Sequence, residues 1–238
     1  KMSHMDDSTQ DDPVPNKDKR LIIVLSNCSH TINVMIPRLV ENLEKHGYPE
    51  TETVQQDAEE TYGRLDKVLF DAYVEEKSNA IIGHLEQNMY AGKFDWNDSQ
   101  RPSGVRSYVK EAVMGLIGIH SEVFAISPHL VTRVLHTVCE HVVEEVSRLI
   151  QCVTGFNSYG ALQARVDLSA IENAIGIYKT SQIRTSIKEA IGCLPPMDEG
   201  AGKKLMEDCQ NRFQSQMKFH LLCFKSDPVK KRSSSPTL

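Results

Sequence analysis

Aromatic residues are scarce in this 238-residue sequence: they make up 6% of it, and only one is a tryptophan. Folds rich in β-strands rely on aromatic and β-branched side chains, so the low aromatic content argues against them. Apolar residues instead recur every three or four positions along most of the chain, which is the period of an amphipathic helix. The sequence therefore predicts an all-α fold, an elongated stack of about eight antiparallel helices.

Long apolar runs are also missing. A transmembrane helix needs about 18 to 20 consecutive apolar residues. The nearest candidate, Leu21 to Ile36, is interrupted by six polar residues. We expect neither a membrane span nor a secretory leader in this sequence.

Paired cysteines are absent as well, since none of the six cysteines belongs to a C-x-x-C motif. They are Cys28, Cys139, Cys152, Cys193, Cys209 and Cys223. Widely spaced cysteines without a leader indicate reduced thiols, and hence a cytoplasmic protein.

Charge is modest overall, with a formal net value of −5, which argues against a dedicated nucleic-acid-binding protein. The two ends differ in sign. Residues 1–18 contain five aspartates and two lysines, whereas the segment from Lys225 onward contains four basic residues and one aspartate. Such ends are typical of disordered segments.

These features predict three regions. Residues 1–17 form a disordered linker that includes an expression scar at Lys1 to Met5. Residues 18–225 form a helical rod, with sub-bundles at 18–102 and 103–225. Residues 226–238 form a disordered tail that is basic and rich in serine.

The clearest helical pattern lies between Gly104 and Val153, where Ser127-Pro128 is the only interruption. Two amphipathic helices joined by a sharp turn are predicted here. The apolar stripe of the first contains Val105, Val109, Ala112, Leu116, Ile119 and Val123. That of the second contains Val131, Leu135, Val138, Val142, Val146, Leu149 and Val153.

The remaining helices are less uniform. Leu21 to Leu25 is compatible with a buried strand, but a helix that ends at Gly47 is preferred, with Pro37 kinking it or starting a new segment. A long charged helix is predicted from Thr53 to about Gln87. Its apolar stripe contains Val54, Ala58, Leu65, Val68, Leu69, Ala72 and Tyr73. Further helices are predicted at 161–178, 180–192 and 202–224, and Phe94 and Trp96 are expected to pin the intervening loop to a helix.

The strongest candidate for chemistry is the segment His136 to His141. Metal ligands on one helix need spacings of three or four, and His136, Cys139 and Glu140 have them. His141 does not, and Cys139 lies beside the apolar stripe, so core packing explains the cysteine. A metal-dependent enzyme that uses the His136 region stays open as an alternative function.

Other residues favour structural roles. His120 shares an apolar face and is expected to be partly buried and hydrogen-bonded. Gly115 and Gly118 lie within a helix, where close approach of a neighbouring helix is the simplest explanation. The basic cluster Lys230 to Arg232 leaves open an adaptor for lipid or nucleic acid. Neither a phosphate-binding glycine loop nor a nucleophile elbow occurs, so we expect no catalytic, cofactor-binding or metal-binding residues.

Four segments carry a resemblance to a known family. They are Leu25-Ser-Asn-Cys28, Tyr90-Ala-Gly-Lys-Phe-Asp-Trp96, Gly104-Val-Arg-Ser-Tyr-Val-Lys-Glu-Ala112 and Gly160-Ala-Leu-Gln-Ala-Arg165. Over about residues 17 to 225 the chain resembles the C-terminal region of the exocyst subunit family that binds Ral GTPases. Its motifs are packing motifs, specific as a set.

The resemblance implies a helical-rod tethering fold and a non-enzymatic scaffold. Such a subunit would join the other exocyst subunits in holding secretory vesicles at the plasma membrane before fusion. It would be cytoplasmic, recruited peripherally to the membrane through the complex. The Ral-binding domain of the family lies near the N-terminus of the full-length protein, so Ral GTPase is expected to bind through a domain absent from this chain.

Overall fold

The computed structural model describes residues 16–225, and this part of the chain is helical, without a β-strand. Nine α-helices are described: α1 Lys17–His30, α2 Ile36–Lys45, α3 Thr51–Ile82, α4 Leu85–Met89, α5 Ser107–Ile126, α6 Val131–Gln151, α7 Ser158–Ala174, α8 Ser181–Gly192 and α9 Ala201–Met217. Short 3-10 segments lie at Pro128–Leu130, Gly176–Tyr178 and His220–Phe224. The all-α prediction is confirmed. The disorder expected at 226–238 and over most of 1–17 lies outside the described residues, but α1 already begins at Lys17, the last residue of the predicted linker.

The first two helices form one continuous rod. The segment Thr31–Met35 between them is π-helical, and the N–H of Ile36 bonds to the carbonyl of Thr31. Pro37 lies in the first turn of α2, where it cannot donate a backbone hydrogen bond. A widened turn accommodates this defect without breaking the helix. Counting α1 and α2 as one helix gives eight among residues 16–225, as the sequence predicts.

The continuous helix formed by α1 and α2 ends at Gly47, because glycine readily adopts the left-handed backbone conformation needed there. Gly47 has a φ of 73°, its N–H bonds to the carbonyl of Glu44, and the N–H of Tyr48 bonds to that of Leu43. This arrangement satisfies the last carbonyls of the helix and reverses the chain. α3 then runs back antiparallel along α1 and α2.

The centre of the molecule is the pair α5 and α6. All six predicted stripe residues of α5 are buried, and so are those of α6 except Val153, which is partly exposed. α1 and α3 pack on one side of the pair, while α7 and α8 cover the other, with α9 on α7. A single hydrophobic cluster extends from Ile22 in α1 to Phe224 near the end of the described chain.

α3 differs from the expectation in its end and in its buried face. It stops at Ile82, because Gly83 ends the helix, and α4 follows as a separate short helix. Of the seven residues of the predicted stripe only Tyr73 is buried. The side chains that α3 buries are Phe70, Tyr73, Val74 and Ser78. α3 therefore turns a neighbouring face to the core and leaves its apolar stripe largely in solvent.

Local signals at the C-terminal end are mostly confirmed. Thr180 caps α8 by accepting the N–H of Ile183. The predicted helix at 202–224 is divided into α9 and the segment His220–Phe224. No helix in residues 16–225 has both the length and the apolar character needed to cross a bilayer.

Candidate functional site

The chemically capable side chains of the segment His136 to His141 on α6 point in different directions. Cys139 is completely buried, and burial raises the pKa of its thiol far above its usual value. The ring of His136 packs edge-on against Tyr178, whereas Nδ1 of His141 lies 3.1 Å from Ser78 Oγ on α3. Nowhere in residues 16–225 do three such side chains come together as a metal site. These residues join α6 to its neighbours on opposite sides.

His120 is buried, as expected, within an aromatic cluster. Its ring stacks on Phe124 and contacts Tyr178 and Phe224 edge-on, at centroid distances of 5.8 to 6.3 Å. The expected hydrogen bond is not formed at Nε2, which is buried without a partner among the described residues. Burial lowers the pKa of His120, which favours the neutral ring. The cluster fastens α5 to the two 3-10 segments near the C-terminal end.

The two glycines of α5 have different surroundings. A β-carbon on Gly115 would lie 2.9 Å from the side chain of Ile81, so close packing of α3 explains this glycine. A β-carbon on Gly118 would meet nothing within 4 Å. The predicted close approach is therefore confirmed at Gly115 and wrong at Gly118.

A buried carboxylate that sequence reasoning missed holds the start of α5. Asp167 on α7 accepts the backbone N–H of Arg106 at 3.0 Å and the side-chain amide of Gln163 at 2.9 Å. Gln163 also donates to the carbonyl of Gly104 at 3.0 Å. Burial raises the pKa of Asp167 to about 7 despite these bonds. The only sequence signal was an aspartate set between apolar residues at Val166 and Leu168.

The loop before α5 is fastened by Trp96, which is 1% exposed. Its ring packs edge-on against Phe94 and Phe156, which are loop residues, while its backbone carbonyl meets the helix α7 at Gly160. Its carbonyl accepts the N–H of Asn157 at 3.1 Å, and the Asn157 amide donates to the carbonyl of Ser99 at 2.8 Å. The start of α7 therefore fixes the path of this loop.

An open cleft of about 750 Å³ lies between this loop and α9. Five basic residues and two acidic residues line it: Lys93, Arg101, Arg106, Lys110, Arg212, Asp95 and Asp98. The guanidinium of Arg106 stacks on Phe94, 3.3 Å from the ring centroid. None of the five basic groups forms an ion pair with another described residue. The cleft therefore presents a predominantly basic surface to solvent.

A second exposed feature is a helical arm, formed by α2 and residues 51–69 of α3. α2 packs mainly against α3, and no side chain between positions 51 and 69 is fully buried. Large apolar residues of the arm are exposed instead, with the exposed fraction in parentheses: Leu39 (52%), Val54 (45%), Tyr62 (38%), Leu65 (43%) and Val68 (66%). The arm therefore presents apolar surface to solvent.

Ion pairs connect α3, at the end of the arm nearest the core, to the helices α1, α5 and α6. Lys77 on α3 bonds to Asp18 on α1 at 2.7 Å and to Glu122 on α5 at 2.9 Å. Desolvation alone would lower the pKa of Lys77, but its bonds to the two carboxylates outweigh it and raise the pKa. Arg133 on α6 pairs with Asp66 at 2.7 Å. The arm is thus fixed to three helices at its base.

The segments that carry the family resemblance converge in this structure. Gly160 lies against the carbonyl of Trp96, and Gln163 bonds to Gly104, so three of the four segments meet at the start of α7. The sequence of residues 1–224 matches the family described as Exocyst complex component Sec5. The chain belongs to the Sec5 family of exocyst components.

Individual relatives agree with the Sec5 assignment. The chain is 44% identical to Exocyst complex component 2 of Homo sapiens over 209 residues, which are 88% of the chain and 23% of the relative. The Mus musculus protein of the same name gives the same figures. Exocyst complex component 2 of Drosophila melanogaster is 30% identical over 212 residues, or 89% of the chain and 24% of the relative.

This Sec5-family chain spans about a quarter of the length of those relatives. No solved structure shows a significant match to it.

Proposed function

We propose that this chain is a non-enzymatic scaffold segment of an exocyst component, which helps to tether secretory vesicles to the plasma membrane before fusion. The observation that carries the proposal is the Sec5 family match across residues 1–224. The scaffold acts through contacts with other exocyst subunits in the cytoplasm and reaches the membrane peripherally through the complex. Ral GTPase binds through a domain that this chain does not contain.

The architecture supports a scaffold. α3 has 32 residues and is therefore about 48 Å long, because an α-helix rises 1.5 Å per residue. Ion pairs and the buried side chains of Phe70, Tyr73 and Val74 fix α3 to the neighbouring helices. Exposed apolar residues on the arm provide surface for protein contacts.

The alternatives receive less support. The metal-dependent enzyme requires His136, Cys139 and Glu140 to converge, and the described residues contain no such group. The adaptor for lipid or nucleic acid depends on Lys230 to Arg232, which lie outside the described residues and leave it a prediction.

Co-purification tests the proposal directly. The full-length protein, tagged and expressed in its own cells, is expected to co-purify with the other exocyst subunits. A variant truncated before Gly160 lacks nearly all of α7 as well as α8 and α9, and it is expected to co-purify with fewer of these subunits. A full-length protein that co-purifies with none of these subunits would overturn the assignment.

A further inference from the structure

The exposed face of α3 has the spacing of a coiled-coil seam. Successive members are separated alternately by four and three residues, as in a heptad repeat. They are Val54, Ala58, Thr61, Leu65, Val68 and Ala72. We call this set the α3 seam. Tyr62 and Leu69 lie beside it and widen the apolar face.

The α3 seam is not used by the fold itself. Val68 is 66% exposed, and Val54 and Leu65 are each more than 40% exposed. The residues that α3 does bury, from Phe70 to Ser78, lie on another face. A large apolar side chain left in water forgoes the stabilisation that burial would give, so a regular row of them indicates a missing partner helix.

The negative charge around the α3 seam indicates that its partner is positively charged. The arm has seven acidic residues against four basic ones, Arg38, Lys45, Arg64 and Lys67. Directly beside the seam, Asp57 and Asp71 form no ion pair with any residue in the described range, whereas Arg64 pairs with Glu60. A second copy of the chain would place acidic flanks against acidic flanks, and an anionic membrane would be repelled for the same reason.

The ends of this chain do not supply a suitable helix. Residues 1–18 are themselves acidic, with five aspartates. Residues 226–238 are basic, but Val229 and Leu238 are their only apolar residues apart from two prolines. Two such residues are too few to cover a seam of about five helical turns.

We propose that the α3 seam binds an amphipathic helix with basic flanks from another subunit of the complex. The inference rests on the proposed function and specifies one of its contact surfaces. The apolar side of the partner helix covers Leu65 and Val68, while its lysines or arginines pair with Asp57 and Asp71.

The chemistry is tested on this chain with two synthetic helices of about three heptads, which share one leucine seam and carry either lysine or glutamate at every flanking position. Fluorescence anisotropy is expected to show about tenfold tighter binding of the lysine peptide, with a preference that shrinks at high salt. Equal affinity for the two peptides would overturn the charge assignment.

Variants locate the binding site. Val68→Glu is expected to weaken binding of the lysine peptide by about tenfold, because it places a charge in the centre of the apolar contact. The matched control is Phe219→Glu, at an apolar residue that is 78% exposed but lies off the arm. Unchanged circular dichroism is expected for both, since both positions are on the surface. If both variants lost affinity for the lysine peptide equally, or if neither lost any, the α3 seam would not be the binding site.

The source of the partner is tested in the assembled complex. A photo-crosslinking residue at position 68 of the full-length protein is expected to form products with another exocyst subunit, and one at position 60, off the seam, is not. Products confined to the same chain, or to a second copy of it, would overturn the proposal. Co-purification of the subunits without a seam cross-link would reject the seam and leave the proposed function standing.

Discussion

Gly160 lies so close to the carbonyl oxygen of Trp96 that a β-carbon at this position would overlap it. This contact joins the start of α7 to the loop before α5. The position of Gly160 is fixed within α7, since its N–H donates to the side-chain oxygen of the cap residue Asn157 at 2.7 Å. Backbone cannot move aside as a flexible side chain can. Glycine is therefore required here by space, and not by a left-handed conformation.

Gly160→Ala is expected to destabilise the protein by about 1 to 3 kcal/mol, as overpacking against fixed atoms does. Gly63→Ala is the matched control, since it lies in the middle of α3 and its β-carbon would meet nothing within 4 Å. The control should stabilise the protein by about 0.5 to 1 kcal/mol, because alanine is the better helix former. Urea unfolding measures both, and effects of the same sign would contradict the packing described.

Core truncations on the central pair are expected to be more costly. Leu116 and Leu135 are both fully buried, so Leu116→Ala or Leu135→Ala should each lower the free energy of unfolding by about 2 to 5 kcal/mol. His136→Ala, on the same helix as Leu135 but partly exposed, should cost far less. A histidine variant as unstable as the leucine variants, with zinc bound stoichiometrically to the wild type, would favour the metal site instead.

The central stripes could be predicted because α5 and α6 are covered from several directions, so every residue of the two stripes except Val153 is buried. α3 shows where that reasoning stops. Its sequence indicates an apolar face, from Val54 to Ala72, but not whether a neighbour lies against it, and the fold places Phe70 and Val74 on the core instead. Local periodicity identifies an apolar helix face that a neighbour could bury. The tertiary structure decides whether a neighbouring helix buries that face.

The buried carboxylate shows a different limit of the sequence. Asp167 accepts a backbone N–H from Arg106, 61 residues earlier, and no local pattern encodes that meeting. Gly115 and Gly118 make the same point, since they are three residues apart on one helix and only Gly115 meets a neighbour. The helices follow from the sequence, whereas their contacts depend on distant residues.

Asp167 should make stability depend on pH. Its pKa in the folded protein is about 7, whereas an unfolded aspartate titrates near 4. Between these values the folded protein binds more protons than the unfolded chain, so this group lowers the free energy of unfolding as pH rises. Asp167→Asn removes the titration while keeping the shape and the acceptor for Arg106.

Urea unfolding at pH 5 and pH 8 tests this directly. Relative to wild type, Asp167→Asn is expected to gain roughly 2 to 3 kcal/mol between the two values, since one pKa unit corresponds to about 1.4 kcal/mol. Asp98→Asn, at an exposed carboxylate in the neighbouring loop, serves as the control and should follow the wild type. If the free energy of unfolding changed by the same amount in Asp167→Asn and wild type between pH 5 and pH 8, Asp167 would be ionised in the folded protein throughout this range.

The proposed scaffold function makes a prediction about secretion. Contacts spread over several surfaces do not depend on one polar side chain, so single replacements that leave the fold intact should preserve activity. In cells that lack the full-length protein, His136→Ala and Asp167→Asn should restore vesicle delivery, provided that their abundance matches the wild type. A variant truncated before Gly160 should fail, because it loses nearly all of α7, including Gly160, which packs against the carbonyl of Trp96, and Gln163, which bonds to Gly104. Loss of delivery with His136→Ala, in a protein that is folded and assembled into the complex, would instead reveal a discrete chemical site on α6.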